Sequence, residues 1–392
     1  MNYKSAFLLR CPAIPKVRIA LVGLGNRGTK TLVRYAFIDN AEISCIVDVD
    51  SQRLARANKL LRDSGRKEAL ALCGPDAWKE ACQLPDIDLI YICTEWRTHT
   101  EMAVHAMRCG KHVAVEVPAA TTVDECWLLV HTAEQTQRHC FMTENCCYDY
   151  FALETLEMHR RGLFGEITHC EGAYIHDLST DNECGESNTS WIERGCLTHG
   201  GNPYPTHGIG PIGQLLGFHR TDRMVQLVSM TSAGAREAGL PLGRVNTTLI
   251  QTARGVSIML QLDVTTHRPY NRLQTVCGTK AFVQKYPLPT VNNGEECFTG
   301  DAAERYMSRF DAADAAQLLR KGEAMNVPNA MNYAMDARLI YCLNNGLPLD
   351  IDVYDAAEWS CLTELTRISA QNGCKPVEIP VFCPNMSQSD SV

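Results

Sequence analysis

The sequence predicts an α/β part with a doubly wound parallel sheet of the Rossmann type, followed by an α+β part with an open antiparallel sheet flanked by helices. Strand-like apolar runs alternate with helical segments up to about residue 145, as in βαβ units. Strand-like segments joined by short Gly or Asn turns dominate afterwards, which favours antiparallel pairing. A length of 392 residues is enough for two domains. We place the first domain at 16–145 and the second at 146–380.

Five strand-like runs mark the first part of the chain. They read VRIALVG, EISCIVDVD, IDLIYICT, HVAVEVP and CFMTEN, and helical segments follow the first four of them. Ligands of open parallel sheets bind beyond the carboxyl ends of the strands. The residues that follow these runs are therefore candidates for a binding crevice.

The second part begins with a predicted helix at 149–161 and a strand at 167–175. A stretch rich in Gly, Asn and Pro follows at 179–211. Further strands are predicted at 225–232, 246–252, 256–264, 273–277 and 281–286, and helices at about 329–345 and 354–371.

Composition argues against several classes of protein. The chain has 37 basic and 45 acidic residues, a net charge of −8, so we expect no nucleic-acid partner. It lacks an apolar run of about 18 residues, so we expect no membrane span. The N-terminus carries no convincing signal peptide; we expect the chain as given to be cytoplasmic, with export left open.

Cysteine usage indicates a reducing compartment. The 19 cysteines are odd in number, and most lie in apolar periodic segments, where free cysteine packs as a small hydrophobic residue. None forms a pattern with zinc-ligand spacing, so we expect no metal.

A dinucleotide fingerprint follows the first strand-like run. Gly23, Gly25 and Gly28 form G-x-G-x-x-G between a strand and a helix, which is the context that pyrophosphate binding requires. Asp48 lies about 20 residues further on, at the end of the next strand, where an acid accepts a hydrogen bond from the ribose 2′-hydroxyl. No Arg is adjacent to Asp48 in the sequence. The pattern therefore predicts NAD as the cofactor, in preference to NADP.

Other polar and aromatic residues follow the later strands of this sheet. Trp96 and His99 come after the strand at 87–94, Glu116 ends the strand at 112–118, and Asn145 ends the strand at 140–145. We expect these strand ends to meet beside the cofactor. The alternatives are a core role for Trp96 and a helix N-terminal role for His99.

These segments resemble the glucose-fructose oxidoreductase and inositol dehydrogenase superfamily, which pairs a Rossmann domain with an open antiparallel sheet. Members usually carry Glu-Lys-Pro after the fifth strand of their sheet, which corresponds to HVAVEVP in this chain, and the Lys acts in hydride transfer. Here the triplet is Glu116-Val117-Pro118.

A narrower resemblance covers the chain from about Val17 to Gln371. The segments GKHVAVEVPAATTVDECW, TENCCYDYF, GAYIHDL, GNPYPTHGIGP and NGLPLDIDVYDAAEWS closely resemble glycoside hydrolase family 109, whose founding activity is an NAD-dependent α-N-acetylgalactosaminidase. The resemblance implies NAD contacts from Asn26, Arg27, Asp48, Trp96, His99, Glu116, Val117 and Asn145. It implies a sugar site lined by Tyr174, Tyr204, Pro205, Thr206, His207 and Tyr286.

The sequence departs from the family pattern at two places. The family has Trp-Arg before its YPTH segment, whereas this chain has Trp191-Ile192, so Arg194 becomes the candidate for the substrate arginine. The family's His-Gly-Gly-Met-Asp segment corresponds here to 328–332, which reads PNAMN and lacks the binding His. Both changes bear on sugar specificity and on activity.

The resemblance implies a redox-neutral glycosidase on N-acetylgalactosaminides or related glycosides, with NAD regenerated in each turnover. Tyr174 and His207 would move protons, His207 from a turn rich in Gly and Pro. Because free tyrosine has a pKa of about 10, Tyr174 needs an activating neighbour, and His176 and His207 are both candidates.

Two other functions stay open at this stage. One is an NAD-dependent sugar or polyol dehydrogenase, against which the absence of Lys at Val117 argues. The other is an NAD- or sugar-binding homologue without turnover, which the missing Arg and His favour. We expect a small-molecule glycoside or glycan end as partner, and any homo-oligomer to form through the exposed face of the second sheet.

Overall fold

A computed structural model describes residues 4–178, 191–232, 245–311 and 314–384. The described chain divides into two compact units, each discontinuous in sequence. The first comprises 4–120, 124–148 and 314–357, and the second comprises 121–123, the described part of 149–311, and 358–384. Residues 314–357, which the sequence analysis assigns to the second domain, thus group with the Rossmann sheet.

Fifteen strands lie in the described residues: β1 (Val17–Val22), β2 (Ala41–Asp48), β3 (Leu70–Cys73), β4 (Leu89–Ile92), β5 (His112–Val115), β6 (Cys140–Met142), β7 (Ile167–Ile175), β8 (Met224–Thr231), β9 (Val245–Thr252), β10 (Ser257–Asp263), β11 (Asn271–Gly278), β12 (Phe282–Gln284), β13 (Thr290–Asn292), β14 (Cys297–Thr299) and β15 (Val377–Glu378).

Thirteen α-helices lie in the same residues: α1 (Asn26–Tyr35), α2 (Ser51–Asp63), α3 (Ala77–Gln83), α4 (Trp96–Arg108), α5 (Val123–Thr136), α6 (Tyr150–Arg160), α7 (Trp191–His199), α8 (Thr206–Leu216), α9 (Asp301–Met307), α10 (Asp314–Ala324), α11 (Ala330–Asn345), α12 (Val353–Ser360) and α13 (Leu362–Gln371). None of them combines the length and the apolar character that crossing a membrane requires.

The first unit contains a six-stranded parallel sheet in the order β3-β2-β1-β4-β5-β6, which confirms the predicted Rossmann fold. Strands β4, β5 and β6 are buried at every residue, as expected where helices cover both faces. The connection order reverses between β1 and β4, and this is where open α/β sheets bind ligands.

A buried ion pair joins α1 to α11 within the first unit. The Arg34 guanidinium donates to the Asp336 carboxylate at 3.0 and 2.9 Å, and the Tyr91 hydroxyl donates to the same carboxylate at 2.9 Å. Burial raises the pKa of Asp336, although Arg34 opposes this shift. Because a buried charge is costly without its partner, Arg34 and Asp336 depend on each other.

The second unit contains a nine-stranded sheet in the order β14-β13-β12-β11-β7-β10-β9-β8-β15. Its strand pairs are antiparallel, as predicted, except that β7 and β10 run parallel, so the sheet is mixed. Met230 on β8 and Leu249 on β9 are 61% and 57% exposed.

In the Gly-, Asn- and Pro-rich stretch at 179–211, residues 179–190 lie outside the described residues, and much of the remainder is helical. Helix α7 and the first half of α8 lie there, and α8 continues through Gly208, Gly210 and Gly213. Two of these glycines serve packing. A Cβ on Gly213 would lie 2.6 Å from the Trp359 indole nitrogen, and a Cβ on Gly208 would lie 3.0 Å from the Ala173 backbone nitrogen.

Candidate active site

The fingerprint glycines of the first unit form a tight turn between β1 and α1. Gly23 has a φ of +89°, and a Cβ there would lie 2.8 Å from the Cys93 carbonyl oxygen. A Cβ on Gly28 would lie 1.8 Å from the Gly23 carbonyl oxygen. Only glycine fits either position, as the fingerprint requires.

Helix α1 begins directly after this turn, at Asn26. Its N-cap is Gly25, and neither a capping side chain nor an acidic residue occupies the first turn. The N-terminus of such a helix favours an anion. Arg27 adds a cation at the same end, and its Nε lies 3.2 Å from an oxygen of Glu116. This turn can therefore hold the pyrophosphate of a dinucleotide.

The Asp48 carboxylate lies beside the glycine turn. It accepts hydrogen bonds from the backbone N–H groups of Leu24 at 2.6 Å and of Asp50 at 2.9 Å. Each carboxylate oxygen has a second lone pair, so Asp48 can still accept from a ribose hydroxyl. Arg53 of α2 also approaches this carboxylate, with Nη1 3.9 Å from Oδ2, although no Arg is adjacent in the sequence.

His99 connects the loops that follow β4 and β5. Its Nδ1 lies 2.8 Å from the Pro118 carbonyl oxygen, and its Nε2 lies 3.1 Å from the Thr94 carbonyl oxygen. Burial lowers the pKa of His99, although the two carbonyls oppose this shift. Because both ring nitrogens contact backbone, His99 positions the strand ends of the crevice.

The other cofactor candidates also lie at strand ends of the first unit. Trp96 is the first residue of α4 and is 9% exposed, and Val117 is 2% exposed. The Asn145 amide donates to the Asn332 side-chain oxygen at 2.6 Å. Asn332 is the last residue of the segment that departs from the family pattern, so this departure contacts a predicted cofactor residue directly.

An aromatic cluster forms the candidate site of the second unit. The ring centroids of Tyr174 and Tyr204 are 4.9 Å apart, those of Tyr174 and His207 are 5.3 Å apart, and those of Tyr204 and His207 are 4.8 Å apart. The structure thus brings together three of the predicted sugar-site residues.

A hydrogen bond identifies the histidine that partners Tyr174. The Tyr174 hydroxyl lies 2.8 Å from Nδ1 of His176, and the two rings meet edge to face. The two residues alternate onto one side of the chain at the end of β7, as the sequence predicts. His176 can accept the phenolic proton through this nitrogen.

Close packing of α8 against β7 places His207 beside Tyr174. A Cβ on Gly172 would lie 2.4 Å from the Gly208 carbonyl oxygen, so the two backbones touch. His207 is 7% exposed and lies in the first turn of α8, after Pro205 at the N-cap. The expectation of a loop histidine is therefore wrong, because a helix terminus carries this side chain. The neighbouring Thr206 is fully buried.

Tyr286 joins the cluster through a residue that sequence reasoning missed. Tyr270 packs its ring 5.2 Å from that of His176 and 6.2 Å from that of Tyr286. It is 45% exposed and stands just before β11. Only its aromatic type beside Pro269 could have drawn attention to it.

Cations lie over both of these rings. Arg272 lies 5.8 Å from the Tyr270 ring centroid, and Lys285 lies 5.5 Å from the Tyr286 ring centroid. Both cations pair with Asp149, at 3.1 and 2.5 Å. Burial alone would raise the pKa of Asp149, but Lys285 and Arg272 lower it below its usual value. The charged triad therefore anchors the two tyrosines.

Arg194 differs from the other candidates. It lies on α7 with an exposed side chain. Within the described residues, no ring contact or hydrogen bond of its side chain joins it to the aromatic cluster. Its assignment to the substrate stays a prediction.

Sequence profiles assign both parts of the chain. Residues 17–144 match the oxidoreductase family with an NAD-binding Rossmann fold, and residues 148–240 and 235–387 match the C-terminal domain of glycosyl hydrolase 109. The chain belongs to glycosyl hydrolase family 109. It is a glycoside hydrolase built on an oxidoreductase-like fold.

Curated members of family 109 align along nearly the whole chain. The alpha-N-acetylgalactosaminidase of Bacteroides fragilis is 52% identical over 95% of this chain and 93% of its own length. A family 109 protein of Phocaeicola vulgatus is 51% identical over 97% of this chain and 98% of its own length. Another, of Porphyromonas gingivalis, is 41% identical over 97% and 87%.

Solved structures share the fold at low identity. A levoglucosan dehydrogenase in complex with NADH matches with a TM-score of 0.74 at 17% identity, covering 93% of this chain and 99% of the other. An aldose-aldose oxidoreductase from Caulobacter crescentus matches with a TM-score of 0.70 at 16% identity, covering 93% and 100%. The family 109 chain thus has the two-part fold that the sequence predicts.

Proposed function

We propose that this glycosidase acts on N-acetylgalactosaminides or related glycosides through a redox-neutral cycle with tightly bound NAD. The 52% identity to an enzyme named alpha-N-acetylgalactosaminidase supports the substrate class. The Rossmann profile, the glycine turn and Asp48 support the cofactor.

The first unit has groups that could bind both the pyrophosphate and the adenosine ribose of a dinucleotide. The turn at Gly23–Gly28 and the start of α1 would hold the pyrophosphate, and Asp48 would hold the adenosine ribose. Trp96, Glu116 and Asn145 would complete the nicotinamide end. When bound, NAD would supply reversible oxidation at C3 of the sugar, so that a turnover has no net redox change.

Tyr174 and His176 would move the proton at sugar C2. Oxidation at C3 acidifies that C–H bond. The Tyr174 hydroxyl first passes its proton to Nδ1 of His176, and the phenolate then takes the C2 proton. The electrons of the C2–H bond form a C1–C2 double bond as the C1–O bond breaks and the aglycone departs. Addition of water at C1 and return of the proton to C2 reverse these steps.

His207 would protonate the departing aglycone oxygen and later deprotonate the incoming water. An imidazole can both donate and accept a proton, which suits both directions. Three aromatic rings would face the sugar, those of Tyr204, Tyr270 and Tyr286.

The Tyr174–His176 hydrogen bond of 2.8 Å carries this proposal. Hydrolysis by two carboxylates needs an acid and a base flanking the glycosidic bond. Here the cluster presents a phenol and imidazoles instead. Such groups suit proton transfer at carbon, which an elimination requires.

Turnover in D₂O tests the reaction class. We expect the released N-acetylgalactosamine to carry deuterium at C2, measured by NMR, because the C2 proton exchanges with solvent during elimination. A Tyr174→Phe variant should lose both exchange and hydrolysis while it still binds NAD⁺.

Two other results would count against the proposal. Product without deuterium at C2 would indicate direct displacement at C1. Stoichiometric accumulation of NADH with sugar would indicate a dehydrogenase.

A further inference from the structure

The guanidinium of Arg53 lies at the ribose end of the cofactor crevice. Its Nη1 is 3.9 Å from Oδ2 of Asp48, and its Nε is 3.7 Å from Oδ2 of Asp50. Nη1 also lies 4.0 Å from the point where a Cβ on Gly25 would stand. The distances to Asp48 and to Gly25 both show that the Arg53 guanidinium lies beside the predicted ribose site.

The Asp48 and Arg53 side chains favour different nucleotides. Asp48 accepts from a ribose 2′-hydroxyl and repels a 2′-phosphate. A guanidinium pairs well with phosphate oxygens. The Arg53 side chain is 48% exposed, whereas the Asp48 side chain is 4% exposed. Arg53 can therefore turn toward a ligand, while Asp48 is fixed by two backbone hydrogen bonds.

We infer that Arg53 is a second determinant of coenzyme choice. Its guanidinium provides a site for the 2′-phosphate of NADP, and the negative charge of Asp48 keeps that site from being used. The inference rests on the proposal that the first unit binds NAD. In the native chain, Arg53 offsets the repulsion between Asp48 and Asp50. With the Asp48 charge removed, Arg53 is released to pair with a phosphate.

Nucleotide binding to the full-length protein, stripped of bound nucleotide, tests this inference by calorimetry. The native chain should bind NAD⁺ more tightly than NADP⁺. Asp48→Asn keeps an acceptor oxygen for the Leu24 N–H and should raise the affinity for NADP⁺ by about tenfold or more, since one charge-assisted contact is typically worth that much. Its affinity for NAD⁺ should fall.

The double variant Asp48→Asn/Arg53→Ala should lose the gain in NADP⁺ affinity. Arg56 is an exposed arginine on the same helix, so Asp48→Asn/Arg56→Ala is the matched control and should keep the gain. The gain should also shrink as salt rises, because an exposed ion pair is screened. Thermal unfolding verifies that each variant is folded.

The outcomes separate the inference from the proposal beneath it. A gain in NADP⁺ affinity that survives Arg53→Ala, or the absence of a gain in a folded Asp48→Asn variant, overturns the role of Arg53 while leaving NAD binding intact. Failure of the native protein to bind NAD⁺ overturns the proposed cofactor itself.

Discussion

At the scale of single residues, the pairing of Tyr174 with His176 decides a question that the sequence leaves open. Both His176 and His207 are candidates to activate the tyrosine. The hydrogen bond goes to Nδ1 of His176, while His207 packs against the tyrosine ring. The proposed function therefore gives the two histidines separate tasks, with His176 as proton acceptor for Tyr174 and His207 as the group that serves the aglycone.

His176→Asn tests this division. An asparagine cannot take up the phenolic proton near neutral pH, so Tyr174 would lose its proton acceptor and would need a higher pH to act as a base. We expect kcat to fall by roughly 10²-fold or more and its pH optimum to rise, with NAD⁺ affinity unchanged. The pH profile of kcat is the measurement.

His267 provides the control for that experiment. Its side chain is 87% exposed and pairs with Asp177. His267→Gln should leave the pH profile as it was. A His176→Asn variant whose optimum stays in place would show that this histidine only supports the fold.

Sequence reasoning reaches some of these residues and not others, for a physical reason. Asp48 follows from the fingerprint because its spacing from the glycines is local. Tyr174 and His207 follow only from the family resemblance. Arg53 and Tyr270 depend on how far a side chain reaches across a turn or between strands, which a linear pattern does not encode.

At the scale of elements, α8 shows why glycines mislead a reading of the sequence. Four glycines and a proline in 208–213 and 217 look like turn residues. In the structure, the helix continues through most of them, because Gly208 lets it touch β7 and Gly213 accommodates Trp359. Only Gly217, with a φ of +66°, ends the helix in the way that sequence rules expect.

Gly172→Ala tests the contact between these elements. The added methyl group would lie 2.4 Å from the Gly208 carbonyl oxygen, so α8 must move away from β7. We expect a loss of about 1–3 kcal/mol in the free energy of unfolding. Turnover should also fall strongly because His207 moves with the helix. Denaturant unfolding and kcat measure the two effects.

Thr168→Ile is the matched control, since it enlarges an exposed side chain on the same strand. It should change stability by no more than about 0.5 kcal/mol. Native stability and turnover in Gly172→Ala would contradict the close-contact argument.

At the scale of the whole molecule, a pair of buried histidines makes stability depend on pH. Burial lowers the pKa of His112 to about 3 and that of His139 to about 4. Unfolded histidine titrates near 6.5. Between pH 6.5 and about 4, the unfolded chain therefore binds more protons than the folded chain. The stabilising contribution is complete above pH 6.5 and is lost as the pH falls through this window.

We expect the unfolding free energy to fall by about 1.4 kcal/mol per pH unit for each histidine in that window. A His112→Asn/His139→Gln variant should show a shallower decline, measured by denaturant unfolding between pH 7 and 5. His131→Gln replaces an exposed histidine of α5 and should keep the native slope. If the unfolding free energy of the double variant fell with pH as steeply as that of the native chain, His112 and His139 would not be the cause of the pH dependence.

The predicted alternation of strands and helices gives the Rossmann sheet correctly because each βαβ unit is local. The second sheet is harder, since β7 pairs with β10 and β11 from far along the chain. Short runs predict that strands exist but do not fix their partners. The parallel β7–β10 pair therefore emerges only from the structure.

The Arg34–Asp336 pair has a consequence for folding of the chain during its synthesis. The partners are 302 positions apart. At about 5–20 residues per second, Asp336 leaves the ribosome roughly 15–60 s after Arg34. During that interval α1 carries the charge of Arg34, which is costly to bury before its partner Asp336 is present. The Rossmann unit, though its sheet is encoded first, therefore cannot be completed until α11 has been synthesised.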